Sequence, residues 1–241
     1  MFFSDEIGIE LTFLGPWHLL QIFITGLVIF LIIRYKDQIR VSKHEKLMRY
    51  CVGSILLAIQ LSYYIWKASV GTLTFVNTLP LGVCTINMFV SVYIIFSKDE
   101  RVFNIIYFWG LGAILSVLFP DILFGPDRYR YYQFFYAHMM FLWIYMYMIF
   151  VYGYRPGLKD FRNSALLLFV VAVGIALPLS LIFDYNYMFM LDAGGTPLEI
   201  LEPLGHVIYV IGTVLVMLIV MAIYYAPIYI FVIRKKNQNT Q

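Results

Sequence analysis

Two residues carry most of the reactive potential in this chain, the thiol of Cys84 and the imidazole of His138, each set within a long apolar run. A thiol becomes a strong nucleophile once a neighbouring base takes its proton, and imidazole is the usual base. Such a pair could open a lipid ester through a thioester on Cys84 and pass the acyl group to water or to another lipid. Asn87, Asp121 and Asp184 have side chains suited to orienting the ring. The inert reading stands beside this one. A buried cysteine is commonly a small packing residue, and an intramembrane histidine commonly serves as a hydrogen bond between helices. A second chemistry is metal-assisted hydrolysis. His18, His138 and His206 could supply three imidazoles, with Cys84, Asp121 or Asp184 as a further ligand and a bound water as nucleophile. No His-x3-His pair accompanies them, so those ligands would come from separate segments; no metal or other cofactor is expected on present signals.

The elements that must position these groups are membrane helices. Of 241 residues, 62% are hydrophobic and only 13% charged, with a mean hydropathy of +0.81. That excludes an ordinary soluble domain. Apolar runs of roughly 20 residues are long enough to cross a bilayer, and they fill the chain. The expected fold is all-α: a single transmembrane domain over 1–241, with seven spans near 16–33, 50–66, 75–96, 102–119, 131–152, 164–183 and 204–233. The first 13 residues hold Asp5, Glu6 and Glu10 and no basic residue, unlike a signal peptide, so the first span is expected to be retained. Cys51 and Cys84 fall on different spans, so no disulfide framework is expected.

Basic residues set the orientation. With the N-terminus outside and the C-terminus in the cytoplasm, 14 of the 17 lysines and arginines lie inside, leaving Lys67, Arg128 and Arg130 outside. The net charge of +3 then reflects topology and contacts with anionic lipid heads, and no nucleic-acid pattern is present. Cys84 lies ~13 Å from the outer end of its span, and His138 ~10 Å from the outer end of its own. Other spans add polar residues at that level: His18, Gln21 and Thr25; Gln60, Tyr64 and Lys67; His206, Tyr209 and Thr213; with Asp121, Asp184 and Asn186 at span ends. Polar groups avoid lipid, so these stripes should face one another around a cavity in the outer half of the bilayer. Along the third span, Pro80, Cys84, Asn87 and Ser91 share one helical face. Pro80 also lacks an N–H, which leaves the Val76 carbonyl without its helical donor.

A third reading is binding without chemistry. The spans carry no Asp, Glu, Lys or Arg near their centres, which disfavours ion or proton transport. The last span has no mid-helix lysine for retinal. A non-catalytic lipid- or small-molecule-binding bundle therefore remains the alternative.

Three segments carry a resemblance: Leu79-Pro80-Leu81-Gly82-Val83-Cys84, Gln133-Phe134-Phe135-Tyr136-Ala137-His138, and Asn186-Tyr187-Met188-Phe189-Met190 followed by Pro197. With them the chain resembles, over nearly its whole length, the YwaF-like seven-span bacterial membrane proteins. These are similar in turn to a vertebrate ether-phospholipid acyltransferase that uses cysteine and histidine, and more distantly to the androgen-induced intramembrane hydrolases. The resemblance implies a bacterial cytoplasmic membrane, an acyl-lipid substrate, the histidine role at His138 and the nucleophile within residues 80–85. Cys84 is the only thiol there. This chain has Gly82 where the family often has a histidine or glutamine after Pro-Leu. The vertebrate cysteine also lies nearer the proline, which leaves Thr85 as the rival nucleophile.

Overall fold

The structure, a computed structural model, describes residues 1–194 and 196–230. Helix α1 (Pro16–Val41) opens on a proline, whose fixed φ suits a first helical turn. A three-residue link reverses the chain into α2 (Glu45–Ser69). The predicted third span is not one helix. Thr74 and Asn77 form a reciprocal capping box on the single turn α3 (Phe75–Thr78), residues 79–82 leave the helix at Pro80, and α4 (Val83–Ser97) begins afresh. Proline both removes a helical donor and crowds the preceding turn, so the break falls where that chemistry puts it.

The next crossing, Glu100–Leu118, is also jointed. Asp99 accepts from the backbone N–H groups of Arg101 and Val102 and caps α5 (Glu100–Ile106). Those bonds, with Val102 first, hold its carboxyl below the usual range. A 3-10 turn, Tyr107–Gly110, then leads into α6 (Leu111–Leu118). Helix α7 (Tyr129–Tyr147) runs on through a π-helical turn, Met148–Tyr152. Helices α8 (Leu158–Val171) and α9 (Leu177–Phe183) join through a second π-helical turn, and α10 (His206–Ile228) is the last described helix. The final residues predicted for the seventh span, 231–233, and the basic residues Arg234, Lys235 and Lys236 lie outside the described residues.

Among the described residues, six helices are long and apolar enough to cross a membrane, and α4 is a shorter apolar helix. Among the described residues there is no strand, only an isolated bridge between Glu10 and Phe124. The chain is therefore an all-helical, integral membrane protein. Its centre is α7: 72% of the apolar window of that crossing is buried, against at most 44% for any other. A helix that is hydrophobic all round belongs inside, and α7 buries phenylalanines, tyrosines and methionines on every side. Exposed leucines, isoleucines and phenylalanines on α1, α8, α9 and α10 make the lipid-facing rim.

Each end of the bundle is tied by polar contacts. At one end, residues 1–14 form a strap: Tyr129 donates its backbone N–H to the Phe2 carbonyl, Trp66 Nε1 donates to Phe3, and Arg128 Nε to Glu6. At the other end Arg49 is 4% exposed and donates to the last carbonyls of α4, Ile95 and Phe96. Its partner Glu45 accepts from Arg49 at 3.0 Å and from the hydroxyls of Tyr147 and Tyr152 at 2.6 Å. Between the ends, Asn87 is fully buried; it donates to the Trp109 carbonyl at 2.9 Å and accepts from Tyr145 at 2.8 Å.

Candidate functional site

Cys84 occupies the second position of α4, one turn beyond the Pro80 break. No side chain caps this helix start. Its first backbone bond runs from Ile86 to Gly82 at 2.9 Å, so the N–H groups of Val83, Cys84 and Thr85 have no partner among the described residues. A helix start carries a partial positive charge and presents donors, so it is suited to receive negative charge. The thiol is free and half-buried; Cys51 is free and exposed. A Cβ on Gly112 would lie 3.1 Å from Sγ, so α6 approaches the thiol closely at that glycine.

Cys84 and Thr85 line a cavity of about 350 Å³, toward the lower end of the usual range for small-ligand sites, about 300–1,000 Å³. Gln60, Tyr64 and Lys67 form a second wall, as their spacing along α2 predicts. Lys67 donates to the Asn77 carbonyl at 3.2 Å and lies 4.8 Å from the centre of the Tyr63 ring.

The third wall is residues 185–189, from the loop after α9. Asp184, Met188 and Phe189 all have positive φ, which is strained for side chains of this size. Polar contacts hold the strain. Ser180 Oγ accepts the Tyr187 N–H at 3.1 Å, Tyr209 donates to the Phe189 carbonyl at 2.8 Å, and His206 Nε2 to Met190 at 3.0 Å. Asn186 bonds Asp192 and receives the Leu191 N–H. The Tyr187 hydroxyl crosses to the Val76 carbonyl at 2.5 Å. That carbonyl is the one Pro80 cannot serve; it also accepts the Leu79 N–H at 3.4 Å, and the loop adds the hydroxyl donor.

His138 is 6% exposed. Its Nδ1 lies 2.7 Å from the Phe134 carbonyl, which cannot donate, so Nδ1 carries the proton and Nε2 is left as the basic nitrogen. The rings of Phe134 and Phe141 flank it at 4.5 and 5.7 Å. Seven residues on, and so on the same face, Tyr145 reaches Asn87 of α4. Among the described residues no hydrogen bond joins His138 to Cys84 or to any proposed orienting group. Asn87 is occupied with Trp109 and Tyr145, Asp121 is exposed without a hydrogen bond among the described residues, and Asp184 is exposed at the end of α9.

The remaining candidates divide. His18 Nδ1 accepts the Leu14 N–H at 3.0 Å, and its Nε2 donates to Val117 at 2.8 Å. Gln21 donates to the Tyr131 hydroxyl, which donates in turn to Trp17. These residues fasten α1 to α6 and α7. Gln60 and Tyr64 line the cavity, whereas His206 and Tyr209 support its loop from behind. His18, His138 and His206 each use a ring nitrogen on a backbone carbonyl. Among the described residues no three histidine, cysteine, aspartate or glutamate side chains gather as a metal site requires. Tyr63, Asn77, Tyr185 and Met217 also line the cavity and were absent from the sequence-based set. The signal that could have found Tyr187 is the carbonyl at Val76 that Pro80 cannot serve, which invites a donor without naming one.

Comparison with known families gives one match: a family model described as the TMEM164 family matches residues 13–225. No curated protein and no solved structure matches the chain.

Proposed function

The chain belongs to the TMEM164 family, and from that premise we propose that it is an intramembrane acyltransferase or lipid-ester hydrolase with Cys84 as nucleophile and His138 as base. The observation that carries this reading is a free thiol in the uncapped first turn of α4, on the wall of a cavity. In the reaction, His138 Nε2 takes the thiol proton and Sγ attacks the ester carbonyl carbon. The carbonyl π electrons move to oxygen; when they return, the C–O bond breaks and the alkoxide takes the proton from the imidazolium, leaving a thioester on Cys84. Water or a lysolipid hydroxyl then receives the acyl group by the reverse sequence.

The same proposal includes seven crossings, with α3 and α4 together making the third, the N-terminus outside and the C-terminus in a bacterial cytoplasm. The basic-residue bias supports that orientation. The resemblance to YwaF-like proteins, and through them to acyl-transferring relatives, supports the chemistry. Two of its three segments, residues 79–84 and 186–190, contribute to the cavity wall. An acyl-lipid substrate entering from the membrane follows from the lipid-facing surroundings. The missing hydrogen bond between Cys84 and His138 favours the competing reading, a bundle that binds lipid without chemistry.

A lipid-like fluorophosphonate or thiol-directed probe on the purified protein separates the two. Cys84→Ala and His138→Ala should each abolish labelling, while Thr85→Ala retains it if Cys84 is the nucleophile. Full labelling of both the Cys84 and His138 variants would overturn the dyad and leave the binding bundle.

A further inference from the structure

We infer that Gln60 is a catalytic residue, its side-chain amide donating, together with the backbone N–H of Cys84, to the oxyanion formed when the thiol attacks an ester. This rests on the acyl-transfer reading above.

Gln60 is 4% exposed and lines the cavity, yet its amide has no hydrogen-bond partner among the described residues. The amide lies on the cavity wall with its N–H groups uncommitted, open to an acceptor that enters the cavity. Gln21, also on an interior face, spends its amide N–H on Tyr131; Gln60 makes no such bond among the described residues.

The register of α2 against the broken third span places it beside the reacting group. Gly53 fits against Ile95, where an added Cβ would sit 2.6 Å from Cγ2. At the other end Lys67 bonds the Asn77 carbonyl. Gln60 lies between these two contacts on α2 and lines the same cavity as Cys84 and Thr85. Cys84 and Thr85, whose N–H groups have no partner among the described residues, line that cavity. A helix-start N–H from the nucleophile's own residue and an amide N–H from a facing element form two donors converging on one developing charge. Such donors act most strongly where water is excluded.

The test compares two reactions of Cys84 in the purified full-length protein in lipid nanodiscs. Acylation by p-nitrophenyl octanoate, followed as p-nitrophenolate release and by intact mass, passes through an oxyanion. Alkylation by iodoacetamide is a displacement at saturated carbon and does not. Gln60→Met, which keeps the volume and removes the donor, and Gln60→Ala should each slow acylation about 100-fold while leaving alkylation unchanged. Acylation at the unsubstituted rate in both variants overturns the assignment, as does an equal slowing of both reactions, which marks a structural role. If the unsubstituted protein alkylates at Cys84 but is not acylated there, the acyl-transfer reading fails first and this assignment falls with it.

Discussion

At the scale of single residues, neighbours on one helical face take opposite roles. Cys84 and Asn87 are three residues apart on α4, and the first opens to the cavity while the second closes the core. Asn87→Ala removes a donor to the Trp109 carbonyl and the acceptor of the Tyr145 hydroxyl, both in the core. Thermal unfolding should report a loss of about 3 kcal/mol, with the Cys84 thiol still present for alkylation. Gly110 tests the same region by steric means. A Cβ there would lie 2.5 Å from the Tyr145 ring, so Gly110→Ala should destabilise by about 1–3 kcal/mol; a neutral result would mean the ring is free to move aside. Polar residues on α2 and α4 were legible as cavity walls because lipid exposure is prohibitive for them. The roles of His18 and His206 were not legible, since a histidine bonded to a carbonyl and a histidine poised for chemistry obey the same rule of burial.

At the scale of elements, the bend at Pro80 and the loop after α9 complete one another. Pro80 predicts a carbonyl at Val76 without its helical donor; in the structure the helix breaks there and that carbonyl accepts from the Leu79 N–H and the Tyr187 hydroxyl. What the sequence could not supply was the partner, because Tyr187 lies 111 residues away and nothing local marks its hydroxyl. The continuous third span was expected because hydropathy averages over the proline. Tyr187→Phe removes only the bond to Val76. Hydrogen exchange should then rise several-fold, up to about tenfold, in the amides of residues 79–86, with those of α7 unchanged. Uniform acceleration across both would instead mean that the loop supports the whole bundle. Tyr209→Phe, which releases the Phe189 carbonyl, is expected to loosen the loop and leave the start of α4 in place.

At the scale of the whole molecule, composition was enough to give an all-helical membrane protein, and basic-residue bias gave two unlike ends. The manner in which each end is closed had to come from tertiary contacts. Arg49 is a residue that topology rules count simply as a positive charge, yet it is buried against Glu45 and the end of α4. Arg49→Ala leaves Glu45 without its cation and α4 without its cap, and should cost about 3 kcal/mol in thermal or denaturant unfolding. A loss no larger than that of an exposed surface pair would show that water already enters there.

The strap across the opposite end has a consequence for synthesis. Glu6 precedes its partner Arg128 by 122 residues, and Ile9 precedes Asp127 by 118. A ribosome adds residues at about 5–20 per second, so these early segments wait several seconds or more for their partners. Through that interval α1 and α2 can already be in the bilayer while the strap has nothing to fasten to. Its closure therefore marks the arrival of α7, the central helix, so a segment that precedes α1 settles only after four later crossings have been made.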